Sequence, residues 1–257
     1  MNGTLRLAVW KLASCDGCQL QVLALDRILL ALGNRVRISV FLEATSRIEA
    51  GPWDLSLVEG SVSTDEDRER LLEIRRRSHR LVTLGACATA GGIQALRNCA
   101  DHEAFRARVF PRPEFIRDLA TSTAVSRHVP VDFELHGCPV NPAQVRELLL
   151  TRLEGRWPVV PEYSVCQECK ARGLACVLVA GNQPCLGPAT RAGCGALCPA
   201  VRRGCYGCFG PAETAATGAL SARLAACGLD RDAVGRAWRT FNAEAPAFRA
   251  EGERHGR

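Results

Sequence analysis

The sequence predicts an α/β fold in which a parallel sheet covered by helices comes first. A small irregular domain and a C-terminal helical segment follow. Three observations predict this. Short apolar runs alternate with helical periodicities over residues 5–153. Eight of the 14 cysteines then crowd between 166 and 208, where periodicity vanishes. From Ala212 to Phe248 the chain turns Ala-rich and helical.

The elements follow in order. LRLAVW (5–10) reads as a strand ending in a loop, and Gln19 to Leu32 as a helix with Gly33 as its C-terminal cap. VRISVF (36–41), DLSLVE (54–59) and RLVTL (80–84) read as strands. Between the last two, TDEDRERLLEIRRRS places acids first and bases last, which suits a helix dipole. VDFEL (131–135) makes a fifth strand, and PAQVRELLLTRL (142–153) a helix opened by Pro142 and capped by Asn141. The alternation is flavodoxin-like in architecture. EGRWPVVPEY (154–163) is a linker, so the expected domains are 1–155, 160–212 and 213–257. The tail RAEGERHGR reads as frayed.

At 257 residues the chain can bury a real core, and no window approaches the ~18 consecutive apolar residues of a membrane helix. No direct membrane insertion is expected, and the cytoplasm is the default compartment. The net charge of +6 is spread over mixed-sign helix faces. Nucleic-acid binding wants a basic stripe with interleaved aromatics, and two tyrosines and eight phenylalanines do not supply one. In a reducing cytosol, 14 cysteines point to metal ligation rather than disulfides.

Placed on the predicted strands, four distant cysteines converge. Cys15 and Cys18 follow the first strand, Cys87 the fourth and Cys138 the fifth. Ligands of open parallel sheets bind outside the carboxyl ends of the strands. Four thiolates suit zinc or an iron–sulfur cluster. Zinc sites usually pair two C-x-x-C units, whereas here one pair joins two single cysteines from far loops. Gly17, Gly85 and Gly137 flank the ligands and leave room for a bulky inorganic core. Glu59, at the end of the third strand, points to the same edge, as a neighbour of the site or as a solvated carboxylate.

The later eight divide into Cys166, Cys169, Cys176 and Cys185, then Cys194, Cys198, Cys205 and Cys208. Two zinc knuckles or two 4Fe-4S clusters fit this spacing, and Cys198-Pro199 echoes the Cys-Pro of ferredoxin motifs. Cys99 and Cys227 remain and are expected to be structural, because free cysteine is commonly buried. His136 reads as a packed or exposed side chain, or as a donor to a cluster sulfide. Gly91-Gly92 is no dinucleotide fingerprint, so the chain itself should bind neither NAD(P) nor flavin.

CLGPATRAGC followed by GCYGCFGP resembles the cluster domain of small subunits of nickel–iron hydrogenases. SCDGCQ, VEGSV, GACATAGG and HGCP resemble the same family's proximal-cluster domain, in the family's order. The resemblance is to the cytoplasmic, sulfhydrogenase delta type, itself related to the 20 kDa-type subunit of complex I. It implies that Cys15, Cys18, Cys87 and Cys138 hold a proximal 4Fe-4S cluster, with Glu59 beside it. Cys166, Cys169, Cys176 and Cys185 match the distal cluster, and Cys194, Cys205 and Cys208 the medial one. Two departures matter. Membrane-linked members usually have histidine where Cys166 stands, and their medial site has three cysteines, whereas Cys198 here offers a fourth. Both imply three all-cysteine 4Fe-4S clusters, of lower potential than sites with an imidazole ligand.

The implied partners are a hydrogenase large subunit, which carries the catalytic nickel–iron site, and a diaphorase (FAD, NAD(P)) or ferredoxin-like subunit. No catalytic residue is expected on this chain. The rival readings are a complex I-like subunit passing electrons to quinone, whose adjacent Cys-Cys pair is absent here, and a zinc-binding module.

Overall fold

Five apolar runs become five parallel strands in the computed structural model, which describes residues 4–256. They are β1 (Leu5–Lys11), β2 (Val36–Phe41), β3 (Trp53–Glu59), β4 (Ser78–Leu84) and β5 (Phe133–Leu135). Their order is β2-β1-β3-β4-β5, all pairs parallel. The chain steps outward to β2 and returns past β1, so a topological switch point lies between β1 and β3. Register places Leu7, Val9, Leu55, Leu57, Val82 and Leu84 on one face, and Ala8, Trp10, Ser56, Val58, Leu81 and Thr83 on the other. All but Trp10 are buried, as expected of a sheet covered on both sides.

The helices that accompany the strands each have a local cause. The predicted helix over 19–32 is two, α1 (Gly17–Leu23) and α2 (Asp26–Ala31). Leu25 N–H reaches back only to Val22 O (3.1 Å), which tightens the turn and drops Leu25 into the core. Gly33 closes the second piece by donating to Leu30 O (3.1 Å). The acid-to-base segment is α3 (Asp65–Arg77), opened by a capping box between Thr64 and Asp67, with Leu71 and Ile74 packed on Val58 and Leu81. Two helices in the β4–β5 crossover had no sequence signal, α4 (Gly85–Ala90) and α5 (His102–Val109). Asn141 caps α6 (Pro142–Leu153) as predicted, its side chain accepting Ala143 N–H (2.8 Å). The fifth strand is shorter than VDFEL because Asp132 instead takes Arg75, Arg80 and Leu81 N–H, each at 2.8 Å.

The chain divides into two units between Val159 and Val160. The second opens with α7 (Val165–Ala171), passes through α8 (Leu197–Ala200) and ends in α9 (Thr217–Ala226), α10 (Arg231–Trp238) and α11 (Pro246–His255). Its two largest fully buried side chains, Trp238 and Phe248, meet at 5.1 Å between the last two helices, and Trp238 Nε1 donates to Ser221 Oγ (2.9 Å) on α9. These helices and the turn between the last two brace the cysteine segment. Asn242 Nδ2 donates to Gly207 O (2.9 Å) and Cys208 O (3.0 Å), and Arg223 to Leu178 O (2.9 Å). The tail expected to fray is helical to His255. The cause is Glu251, 1% exposed, held by Arg254 (2.8 Å) and His255 (2.9 Å). Among the described residues, no helix is long and apolar enough to cross a membrane.

Candidate functional site

The loop after β1 pairs with the loop after β3. Leu12 N–H donates to Glu59 O (2.8 Å), and Ala13 exchanges hydrogen bonds with Ser61 (3.2 and 2.9 Å). This pairing fixes Cys15 and Cys18 beside the end of β3. Asp16, left-handed at φ 66°, turns the chain into α1 and is tied to Lys11 Nζ (2.6 Å). Glu59 then closes the helix start, its two carboxylate oxygens accepting Cys18 N–H and Gln19 N–H at 3.1 Å each. At 1% exposure Glu59 is no solvated carboxylate, and burial raises its pKa.

From the far strands, Cys87 arrives in the first turn of α4 and Cys138 on the loop after β5. Ala86 N–H donates to Gly137 O (2.7 Å), joining those loops. Two glycines are required by close approach. A Cβ on Gly85 (φ +81°) would lie 2.4 Å from Cys18 Sγ, and one on Gly92 (φ +64°) 2.5 Å from Cys87 Sγ. Gln94 links the loops, with Nε2 donating to Ala13 O (2.7 Å) and Oε1 accepting from Cys87 Sγ (3.5 Å).

The four thiols feel one another. Burial pushes Cys87 up to about 11, and Cys138, Cys15 and Glu59 add to the rise. Burial raises Cys138 too, with Cys15 and Glu59 adding. Cys18 is raised by burial, then by Glu59, Cys87 and Cys138. Four sulfurs and a buried carboxylate that resist ionising together need a cationic core to make them all thiolates. All-sulfur donors and glycine-lined clearance fit an iron–sulfur cluster. His136 Nε2 lies 3.9 Å from Glu134.

In the second unit, Cys166 and Cys169 lie three apart on α7 and so share a face. Cys169 is pushed up to about 11 by burial, then by Cys166, Cys185 and Cys176, which gathers those four. Cys185 Sγ accepts Cys205 N–H (3.2 Å) and Gly187 N–H (3.4 Å), an arrangement that favours its thiolate. The remaining four are not set apart from the first set, since Cys185 feels Cys198 as well as Cys176. Burial raises Cys194, with Glu168 and Cys198 adding. Burial raises Cys205, with Cys185 and Cys208 adding. Among the described residues, no three His, Cys, Asp or Glu side chains close tightly enough to hold a single metal ion.

Cys99 is exposed and Cys227 half-buried, so the burial expected of both is not found. Gln94 and Glu168 carried no signal beyond their places, one after the Gly91-Gly92 pair and one inside CQEC. Their contacts are with loops far along the chain.

A sheet edge that gathers four thiols, joined to a cysteine-rich unit, defines a class: an oxidoreductase subunit of iron–sulfur type. Residues 15–151 match the family described as NADH ubiquinone oxidoreductase, 20 Kd subunit. The chain is 40% identical over 204 residues to sulfhydrogenase 2 subunit delta of Pyrococcus furiosus, covering 79% of this chain and 85% of that one. It is 30% identical over 240 residues to a subunit of the F420-non-reducing hydrogenase vhu of Methanococcus voltae, covering 80% and 83%. A solved NAD+-reducing [NiFe]-hydrogenase structure superposes with TM-score 0.58 at 32% identity, covering 62% of this chain and 96% of that chain. The chain belongs to the 20 kDa-subunit family and, within it, to the delta-type subunits of hydrogenases.

Proposed function

We propose that this chain is the electron-transfer subunit of a cytoplasmic nickel–iron hydrogenase. It relays electrons between a hydrogen-activating site on a separate large subunit and an NAD(P)-linked or ferredoxin-like partner. Three 4Fe-4S clusters, when bound, supply one-electron redox chemistry. Cys15, Cys18, Cys87 and Cys138 would hold the proximal one, Cys194, Cys198, Cys205 and Cys208 the medial, and Cys166, Cys169, Cys176 and Cys185 the distal.

The observation that carries the reading is the meeting of four thiols from three strand ends over the buried carboxylate of Glu59. That carboxylate holds the Cys18 turn by two amides, so the ligand loop is fixed independently of the metal. Gly85 and Gly92 keep space open where any side chain would strike sulfur. Buried Leu12, Val58, Val62 and Ala88 back the site, while Cys15 is exposed. Leu42 (59% exposed) and Ile48 (62%) offer an apolar surface near the carboxyl end of β1, where the large subunit would dock. The NAD(P)-linked partner is favoured by likeness to the NAD+-reducing enzyme.

Anaerobic pull-down of the full chain with metal analysis tests this. The expected result is a brown preparation with about twelve irons and matching acid-labile sulfide per chain, bleached by dithionite, together with a nickel-containing larger subunit. Colourless protein holding zinc, or iron without any nickel-bearing partner, overturns it.

A further inference from the structure

Glu168 stands between the two cysteines of CQEC and is the one acidic residue from Ser164 to Pro211, a stretch with five cations. It is not paired with any of them in the hydrogen-bond pattern. Its Oε1 accepts Gly193 N–H at 2.9 Å and its Oε2 accepts Ala196 N–H at 3.0 Å. These amides lie on either side of Cys194, whose thiol donates to Oε2 at 3.8 Å. They converge because the loop runs left-handed, with φ of 131° at Gly193, 69° at Gly195 and 53° at Ala196. Such a run of amides makes a concave anion receptacle. A left-handed alanine costs roughly 1–2 kcal/mol, so the conformation needs a partner to hold it. The far end of the same helix grips the loop in the opposite sense, Arg172 donating to Gly195 O.

We infer that Glu168 is a positioning residue that carries the Cys194 loop on the helix of Cys166 and Cys169. It thereby sets the spacing of the medial and distal ligand sets and holds the medial site at lower potential. The inference rests on the cluster reading above. Its physical content is twofold. A carboxylate accepts two converging N–H groups, whereas an amide in its place accepts one and sets its own NH2 against the other. A fixed negative charge beside Cys194 also opposes the arrival of an electron there.

The test compares the full wild-type chain with Glu168→Gln and Glu168→Ala, purified anaerobically with the subunits it carries. Iron and sulfide per chain and an EPR-monitored redox titration are the readouts. The medial signal is identified as the one that Cys198→Ala converts to a three-iron type. Glu168→Gln is expected to keep its iron and move the medial potential upward, with a smaller rise at the distal site, whose ligands Cys166 and Cys169 flank Glu168, and none at the proximal site. Glu168→Ala is expected to lose the medial signal and one cluster's complement of iron. Wild-type iron content and unmoved potentials in both variants overturn the inference. So does prior loss of the distal signal, because a helix that merely unfolds releases its own cysteines first. A wild-type chain without iron overturns the cluster reading and this inference together, whereas the other two outcomes overturn this inference alone.

Discussion

The two units hold cysteines in opposite ways. In the first, the thiols ride on the rim of a sheet whose core of leucines, valines and isoleucine closes without them. In the second, residues 164–211 are rich in Cys, Gly, Pro, Ala and cations, with only a few large apolar side chains, such as Val165, Leu178, Leu186 and Phe209, buried among them. Its two largest fully buried side chains, Trp238 and Phe248, lie on the last two helices. The lesson is that one kind of ligand can be preorganised by a core or can itself be part of what organises the chain.

Iron removal should break that symmetry most sharply. Chelation under anaerobic conditions is expected to let the amides of 164–211 exchange as in an unfolded chain, while those of β1, β3 and β4 stay protected. Hydrogen exchange read by mass spectrometry decides it, and equal loss in both units would erase the contrast. Next in size, Trp238→Ala empties a fully buried site against Phe248 and should cost the second unit about 3–5 kcal/mol. Denaturant titration followed by exchange should show the sheet amides untouched.

The smallest effect belongs to the first unit. Burial alone would raise the Asp132 carboxyl, but Leu81 N–H, Arg80 and Arg75 outweigh it and hold it below the usual carboxylate range. A depressed folded pKa contributes stability above the unfolded value of ~3.9 that is lost as pH falls through the folded value. Asp132→Asn should therefore cost about 1 kcal/mol at neutral pH, discounted for the half-exposed Arg80, and the difference from wild type should vanish in acid. A difference that persists below that range would assign the effect to packing instead.

Much of the first unit was legible in its sequence. Strand positions follow from short apolar runs, and strand ends alone bring Cys15, Cys18, Cys87 and Cys138 together. The break at Leu25 was hidden because apolar spacing is the same on either side of it. Helices α4 and α5 were hidden because one is six residues of small side chains and the other has no buried face. The helical tail depends on ion pairs of Glu251, which periodicity does not register. Glu59 could be placed at the edge from its strand, but its two amide partners come from another loop. Glu168 was invisible for the same reason, since its partners lie across the fold of the second unit.

The strand order also sets a timetable. The thiols at the sheet edge are complete only when β5 has added beside β4, so the chain must be made past Cys138 before they can meet. Cys166 to Cys185 closes within one short stretch, at a small cost in loop entropy. During synthesis Cys15 and Cys18 thus leave the ribosome well over a hundred residues ahead of Cys138, and for that interval they wait as an open pair.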